Sequence, residues 1–230
     1  SNNGGAISSG SSQIENSKFI GNTAYSSGGA IQATGGIISG NIFVNNIVTR
    51  TIQDNNSGGG AIWIAVASSS SLNIEDCEFV NNQAYSDIGD DIYFYTLYNT
   101  SSVSIINSSF IGSSSPNENS IYFWFNNGNS MDIDSSNFIF YENSVYNYDN
   151  SAFVDATNNY WGHLSGPYHP TQNTAGQGDS VNTWVNVTPW LTTPNTDAPP
   201  IPAQNVQITS SGYNYVNLSW DASAIGDLAG

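Results

Sequence analysis

The tetrapeptide Gly-Gly-Ala-Ile occurs three times in the first part of this chain, at residues 4–7, 28–31 and 59–62. Degenerate copies follow at residues 89–92, 119–121 and 143–145. Each copy ends on an aliphatic residue, and these anchors are Ile7, Ile31, Ile62, Ile92, Ile121 and Val145. A period of roughly two to three dozen residues is typical of solenoids and propellers. The sequence therefore predicts a repeat protein.

A second repeating series places an aliphatic residue five positions before a phenylalanine. The pairs are Ile14 and Phe19, Ile38 and Phe43, Ile74 and Phe79, Ile105 and Phe110, and Ile133 and Phe138. The first three phenylalanines are followed by a short step that ends at Asn22, Asn46 and Asn82. Glycine, asparagine and serine are frequent between these positions, and they favour the turns that connect short strands. We expect stacked Phe and Ile columns in the core, with asparagine ladders at the turns.

The period also decides between repeat architectures. Helical solenoids are excluded because no stretch shows a sustained 3.6-residue period with suitable helix formers. Propeller blades need longer units of four strands. The predicted fold is therefore all-β, a right-handed parallel β-helix of about six coils stacked about 4.8 Å apart.

The charge composition limits the classes of partner. Lys18 and Arg50 are the only basic residues against 18 acidic ones, which gives a net charge of −16. Nucleic acid is not expected as a partner because phosphate neutralisation needs clustered cations. Anionic membranes and polyuronates are disfavoured for the same electrostatic reason. A membrane-spanning helix needs about 18 consecutive apolar residues, and no apolar run approaches that length, so membrane insertion is not expected.

Two sets of residues resemble known families. The Gly-Gly-Ala-Ile and Phe-x-x-Asn pattern resembles polymorphic outer-membrane protein repeats. The segment 156–163, with 165–167, His169-Pro170, 178–179 and 188–191 after it, resembles the closing segment of the pectate-lyase-like superfamily of β-helix proteins. The resemblance covers residues 1–192 and implies a secreted or cell-surface protein. It implies no single activity, because that fold hosts lyases, hydrolases, adhesins and structural rods.

The composition changes after residue 192. Residues 193–202 are rich in proline and read as a stiff linker. Residues 203–209 and 215–220 then alternate as strands do. They resemble the first two strands of a fibronectin type III domain, with Trp220 as its early core tryptophan. Residues 203–230 are too short for a sandwich of about seven strands, so we expect a truncated segment of a larger, extracellular protein.

Aromatic residues follow the first anchors at odd offsets. Since anchors point inward and strands alternate, residues one and three positions after them are expected to point outward. The aligned residues predict an exposed aromatic wall made of Trp63, Tyr93, Tyr95, Tyr122, Trp124, Tyr146 and Tyr148. A contiguous exposed patch usually marks a binding surface, and aromatic rings contact sugars or another protein. The alternative is that a loop or the C-terminal tail covers the wall.

Acidic residues form two further candidates. Asp87, Asp90 and Asp91 lie in one predicted turn and form a weak calcium site, although a solvated turn is the favoured interpretation. A broken column of Glu15, Glu75, Asp134 and Asp155 follows the second-series anchors. Paired carboxylates can hydrolyse glycosides, but solvated acids explain this column better.

Three other reactive side chains are interpreted as structural. Cys77 lies between acidic neighbours that raise the pKa of a thiol, so a structural role is favoured. His163 and His169 lack the spacing of a helical zinc site, and packing within their loop is favoured.

The favoured function is a non-catalytic extracellular module, structural or adhesive, of a larger surface protein. Its expected partners are a neutral polysaccharide or a protein, including other copies of the chain. Ser1 leads directly into the first repeat, so either preceding residues add coils or another subunit docks there to build a filament. The alternative is a carbohydrate-active enzyme or polysaccharide-binding module for a neutral glycan. A cleft with paired carboxylates beside the aromatic wall would favour the enzyme.

Overall fold

The computed structural model describes residues 2–52, 57–66, 70–86, 88–97, 102–113, 118–124, 129–151, 153–201 and 206–220. The described residues form strands and turns, with no helix among them. In particular, they include no helix with the length and apolar character needed to cross a membrane.

The chain forms short strands in a recurring order. The first three repeats contain four strands each: β1 (Ile7–Ser8), β2 (Ser12–Glu15), β3 (Lys18–Ile20), β4 (Thr23–Ala24); β5 (Ile31–Ala33), β6 (Gly36–Ser39), β7 (Ile42–Val44), β8 (Ile47–Val48); β9 (Ile62–Val66), β10 (Ser71–Glu75), β11 (Glu78–Val80), β12 (Gln83–Ala84). The next three contain β13 (Ile92–Leu97), β14 (Ser102–Ile106), β15 (Ser109–Ile111); β16 (Asn119–Phe123), β17 (Ser130–Asp134), β18 (Asn137–Ile139); β19 (Asn143–Asn147) and β20 (Val154–Asp155). The remaining strands are β21 (Pro167–Tyr168), β22 (Gly178–Val181), β23 (Val185–Asn186), β24 (Gln207–Gly212) and β25 (Tyr215–Ser219).

Equivalent strands of successive repeats pair with one another. Sheet A has the order β1-β5-β9-β13-β16-β19-β22-β21, and sheet B has the order β2-β6-β10-β14-β17-β20-β23. Sheet C has the order β18-β15-β11-β7-β3, and sheet D has the order β12-β8-β4. All pairings within these four sheets are parallel, while β24 and β25 form a separate antiparallel hairpin. The chain is thus all-β with long parallel sheets, an arrangement consistent with a solenoid.

The register confirms both repeating series. In sheet A, Ile31 pairs with Ile7 on one side and Ile62 on the other, and the series continues to Val145. In sheet C, the five predicted phenylalanines pair in order from Phe19 to Phe138. Their rings stack with centroids 4.7–5.0 Å apart, the spacing of neighbouring strands. These columns belong to one continuous hydrophobic core.

The predicted asparagine ladder lies between sheets C and D. Asn46 accepts hydrogen bonds at Oδ1 from the backbone and side-chain nitrogens of Asn22, at 3.0 and 2.9 Å. Its Nδ2 donates to the Phe19 carbonyl at 2.8 Å and to Asn82 Oδ1 at 2.9 Å. Asn46 is fully buried, so the ladder satisfies an amide that would otherwise be costly to desolvate. The ladder therefore links three successive repeats through Asn22, Asn46 and Asn82.

A second polar column lies between sheets B and C and includes Cys77. The Cys77 amide donates to Ser108 Oγ at 3.2 Å, and the Ser108 amide donates to Ser136 Oγ at 3.1 Å. The Ser136 amide donates in turn to Asn159 Oδ1 at 2.8 Å. Cys77 is a free, fully buried thiol, and desolvation by burial raises its pKa to about 12. The predicted structural role of Cys77 is confirmed.

Several glycine and asparagine residues adopt left-handed backbone angles at the turns. The first glycine of the Gly-Gly-Ala-Ile motif has φ +54° at Gly4, +59° at Gly28 and +66° at Gly59. A Cβ atom there would overlap the carbonyl of the anchor isoleucine three residues later. This close approach explains why glycine recurs at that position.

The segment after β20 continues the phenylalanine column and adds β21, β22 and β23 to sheets A and B. Trp161 lies on Phe138 with ring centroids 4.8 Å apart, and it is fully buried. His169 is also fully buried: its Nε2 lies 3.0 Å from the Val185 carbonyl, and its Nδ1 accepts hydrogen bonds from the amides of Thr171 and Gln172. Both contacts fit a neutral imidazole, and burial lowers the His169 pKa. His169 thus packs within its loop as predicted.

Residues 193–201 contact the outer face of sheet C, which a free linker would not do. The Asn195 amide donates to Asn137 Oδ1 at 2.8 Å, and Asn195 Nδ2 donates to the Ser135 carbonyl at 2.6 Å. Ser109 Oγ donates to the Pro199 carbonyl at 2.6 Å. Ile201 is 7% exposed and packs in an apolar cluster with Ile111, Ile139 and Tyr160.

The hairpin of β24 and β25 lies after this segment. Every residue of both strands is exposed, and Trp220, expected to be buried, is 53% exposed. Two strands alone bury little surface, so a core position for Trp220 needs further strands.

Candidate aromatic binding face

The aromatic residues predicted as a wall come together on sheet A. Tyr93 pairs with Trp63 on one side and Tyr122 on the other, and Tyr122 pairs with Tyr146. These residues form the first of two aromatic columns. The second contains Trp124 and Tyr148, whose amides donate to the Phe94 and Phe123 carbonyls at 2.9 and 2.8 Å. We call the seven residues Trp63, Tyr93, Tyr95, Tyr122, Trp124, Tyr146 and Tyr148 the aromatic face.

Tyr95 departs from the predicted alignment. The spacing predicts Tyr95 beside Ala65, whereas the structure pairs Ala65 with Thr96 across a register shift after Phe94. A bulge of this kind redirects a side chain. Tyr95 instead stacks on Trp63, with ring centroids 5.6 Å apart and planes inclined by 22°.

Exposure varies along the aromatic face, which corrects the expectation of a uniformly open wall. Tyr93 is fully buried and Trp63 is 7% exposed, whereas Tyr148 is 56% exposed. Tyr93 and Trp63 pack with Ile88, and a Cβ atom at Gly58 would overlap the Tyr93 ring. The turns that precede β9 and β13, at Gly58 and Ile88, therefore cover the N-terminal part of the aromatic face, in line with the alternative that a loop covers the wall.

The uncovered rings stack on one another. Tyr122 and Tyr146 lie 5.1 Å apart with planes inclined by 19°, and Trp124 and Tyr148 lie 5.0 Å apart with planes inclined by 13°. Since stacked rings cover each other's faces, this part of the surface presents mainly ring edges and tyrosine hydroxyls. Burial, with Tyr146 and Tyr148 nearby, raises the pKa of the Tyr122 hydroxyl, so it stays a neutral hydrogen-bonding group.

A pocket opens at the end of the second aromatic column. It has a volume of about 300 Å³ and is lined by Trp124, Tyr148, Asp149 and Asn150. The Ser151 amide donates to Asp149 Oδ1 at 2.9 Å, which holds this carboxylate in place. Asp149 and Asn150 were not predicted from the sequence because they belong to no repeating column and follow a strand. Their position directly after Tyr148 was the available signal.

Asp90 and Asp91, two members of the weak calcium candidate, are buried and bonded to protein donors. Asp90 accepts the amides of Ala84 and Asn119, both at 2.8 Å. Asp91 accepts Ser120 Oγ at 2.8 Å and the Tyr141 hydroxyl at 2.5 Å. Asp87 lies outside the described residues. Within the described ranges, no group of three or more His, Cys, Asp or Glu side chains is placed to hold a metal ion. The calcium prediction for the full set stays untested.

These aspartates belong to a polar cluster that connects the asparagine ladder to the closing segment. Asn82, the last asparagine of the ladder, donates to Asp91 Oδ1 at 3.0 Å. Asp179 of the closing segment accepts the Tyr141 amide at 3.1 Å and Ser144 Oγ at 2.8 Å. Desolvation by burial raises the pKa of Asp91 to about 6 and that of Asp179 to about 7. The sequence spacing gave no sign of this cluster, because its members are far apart along the chain.

In the acidic column on sheet B, Glu15, Glu75 and Asp134 keep the predicted register, with Ser39 and Ile106 between them, and only Asp155 is shifted. Asp155 pairs with Asp132, whereas the sequence placed it beside Asp134. Desolvation raises the pKa of Asp132, with a further contribution from the charges of Asp134 and Asp155. These carboxylates do not line the aromatic pocket, which lies beyond the C-terminal ends of β16 and β19 in sheet A.

Comparison with known proteins returns no relative. No protein-family model, no curated protein and no solved structure matches this chain. The resemblances to polymorphic outer-membrane protein repeats, to the pectate-lyase-like superfamily and to fibronectin type III domains therefore stay proposals.

Proposed function

We propose that residues 1–192 form a right-handed parallel β-helix that serves as a non-catalytic structural or adhesive module of a secreted or cell-surface protein. The repeated order of strands through sheets A, B and C supports the β-helix. The in-register phenylalanine column supports it further, since equivalent residues stack on equivalent residues in such a fold. A fibronectin type III domain that includes the hairpin of β24 and β25 is a further part of the proposal.

The observation that carries the adhesive role is the aromatic face. Partly exposed rings extend over consecutive repeats from Tyr95 to Tyr148 and belong to the same side of sheet A. Tyrosine and tryptophan supply contact area, low entropy cost and hydrogen-bonding groups at binding surfaces. We infer that this face contacts a neutral polysaccharide or a protein, and that the net negative charge of the chain disfavours polyanions.

The enzyme alternative would use the carboxylates of sheet B. Asp132 and Asp155 are neighbours, and the raised pKa of Asp132 suits a general acid. The aromatic pocket, however, is lined by Asp149 and not by this pair. Since a glycosidase brings its two carboxylates to the bound sugar, the separation of the two features favours a binding module.

The proposed role is tested by adhesion of the full chain to cell surfaces and to arrays of extracellular proteins and neutral glycans. A Trp124→Ala/Tyr148→Ala double variant should lose binding and keep the circular dichroism spectrum of the wild type. Tyr25→Ala/Tyr168→Ala is the matched control, because these tyrosines are exposed at 54% and 44% outside the aromatic face. Equal binding by both double variants would contradict the adhesive role of this face.

Self-association is a separate part of the proposal. A stack of parallel repeats leaves unpaired strand edges at an uncapped end, and β1 of sheet A and β3 of sheet C are such edge strands within the described structure. Head-to-tail docking of another copy would pair them and build a filament. Electron microscopy would support this with fibres whose axial repeat is one module long. Monodisperse rods of a single chain would contradict it.

A further inference from the structure

We propose that the pocket lined by Trp124, Tyr148, Asp149 and Asn150 binds a single neutral pyranose unit of a glycan. This inference rests on the proposed binding role of the aromatic face and assigns a ligand class to one place on it. The pocket is where the aromatic columns meet polar side chains, and it has a volume of about 300 Å³. That volume is at the lower end for small-molecule sites, so it suits one sugar ring better than several.

The ring arrangement provides an apolar contact for the C–H face of a sugar. Trp124 and Tyr148 stack nearly parallel, with centroids 5.0 Å apart, and Tyr148 also contacts Tyr122 at 6.5 Å. Tyr148 ends its column and is 56% exposed, so its ring is the most accessible of the face. Pyranoses present apolar C–H surfaces to aromatic rings, which combine apolar area with a negative π face. Rings within a stack cover each other's faces, whereas the exposed ring at the end of the stack can offer one face to a sugar.

The polar lining matches sugar hydroxyls. Asp149 is held by the Ser151 amide at 2.9 Å, and Asn150 is exposed beside it. A carboxylate accepts hydrogen bonds from hydroxyls, and an amide both donates and accepts. The combination can bind adjacent hydroxyl groups on one edge of a ring while Tyr148 contacts its face. Asp149 is fixed before the ligand arrives, which lowers the entropy cost of binding.

Charge restricts the ligand to neutral sugars. Asp149 places a carboxylate in the pocket, and a uronate or sulfate group beside it would be repelled. The chain's two cations, Lys18 and Arg50, belong to the first two repeats, whereas Trp124 and Tyr148 follow β16 and β19. No lysine or arginine lines the pocket to offset the repulsion.

The test is a ligand-observed NMR titration of the full chain with methyl glycosides of glucose, galactose, mannose and N-acetylglucosamine, and with galacturonate as the anionic probe. We expect at least one neutral glycoside to bind with a dissociation constant near millimolar, as small single-ring ligands do. Tyr148→Ala should weaken it about fivefold or more, because a lost ring contact is worth about 1 kcal/mol. Asp149→Ala should weaken it severalfold, whereas Tyr148→Phe and the control Tyr25→Ala should leave it nearly unchanged.

The outcomes separate this inference from the proposed adhesive role. Failure of every neutral glycoside to bind, equal binding of galacturonate, or unchanged affinity in Tyr148→Ala would each overturn the sugar site. If adhesion is lost in Trp124→Ala/Tyr148→Ala while no glycoside binds, the face binds a protein and the sugar site is wrong. If glycosides bind in the pocket while adhesion is unchanged in that variant, the site stands and the adhesive role is wrong.

Discussion

Trp161 stacks on Phe138 with ring centroids 4.8 Å apart and planes inclined by 13°. The closing segment thereby continues the column that starts at Phe19, and it ends the column with the largest aromatic side chain. The same segment contributes β22 and β21 to the end of sheet A. The phenylalanine column and the segment after β20 therefore belong to one hydrophobic core.

Phe79→Ala removes a ring from the middle of the column. Phe79 is fully buried and stacks on Phe43 at 4.8 Å and on Phe110 at 4.7 Å. We expect the free energy of unfolding to fall by about 3–5 kcal/mol, since the substitution leaves a cavity. Phe153→Ala is the control, because Phe153 is 53% exposed and should cost under about 1 kcal/mol. Urea denaturation measures both, and similar losses would contradict the buried column.

Asn46→Ala interrupts the asparagine ladder. It removes the acceptor of the partly buried Asn22 amides and the donor to the buried Phe19 carbonyl, whereas Asn82 Oδ1 keeps the Asn46 backbone amide. Each buried group left unsatisfied costs about 1–3 kcal/mol, so we expect a loss of at least about 2 kcal/mol. Gln83→Ala changes the exposed residue one position beyond Asn82 and should be nearly neutral. Equal stability of the two variants in thermal denaturation would show that the ladder contributes little.

Asp179 makes stability depend on pH. Its folded pKa is raised from 3.8 to about 7, so the native state binds a proton more tightly than the unfolded chain. The stability that Asp179 contributes to the free energy of unfolding is therefore fully present below pH 3.8, and it is lost as the pH rises to about 7. His169, whose pKa is lowered, acts oppositely: its contribution is present above pH 6.5 and is lost as the pH falls.

Comparison with Asp179→Asn isolates the first effect. Relative to this variant, the wild type should lose roughly 2 kcal/mol of stability between pH 4.5 and pH 8. This figure is smaller than the full pKa shift implies, because solvent screens the partly exposed Asp179 carboxylate. Thermal unfolding across that range, with both proteins in the same buffers, measures the difference. A constant difference between wild type and variant would contradict the raised pKa.

Asn195→Ala releases residues 193–201 from sheet C. Asn195 exchanges backbone and side-chain hydrogen bonds with Asn137 and donates to the Ser135 carbonyl. We expect faster hydrogen exchange and faster proteolysis within residues 193–201, together with a loss of about 1–3 kcal/mol. Thr196→Ala is the control, since Thr196 is exposed in the same segment. Unchanged proteolysis in Asn195→Ala would indicate that the segment is held by other contacts.

The sequence was sufficient to predict the register of the repeats, because a short parallel strand places identical residues beside identical residues. The anchors from Ile7 to Val145 and the column from Phe19 to Phe138 followed from spacing alone. The alignment was wrong where the backbone departs from regular pairing: a bulge moved Tyr95, and a two-residue offset placed Asp155 beside Asp132. Spacing within one repeat carries no information on such irregularities.

The candidate site was predictable only in part. Outward orientation of the aromatic residues follows from strand alternation, but covering by the turns at Gly58 and Ile88 depends on contacts between repeats. Tyr93 was therefore expected at the surface and is buried. Asp149 and Asn150 follow a strand and belong to no periodic column, so only their position in space joins them to Trp124.

The central claim is that equivalent strands stack in parallel and in register, and disulfide trapping tests it most directly. Asn73 and Ser104 are partners on the outer face of sheet B, whereas Ile106 lies two residues beyond Ser104. Neighbouring parallel strands are about 4.8 Å apart, within the range that a disulfide spans, and a two-residue shift exceeds about 7 Å. We predict rapid oxidation of Asn73→Cys/Ser104→Cys and none of Asn73→Cys/Ile106→Cys, measured as free thiols under native conditions. Preferential oxidation of the second pair, or equal oxidation of both, would contradict the parallel register.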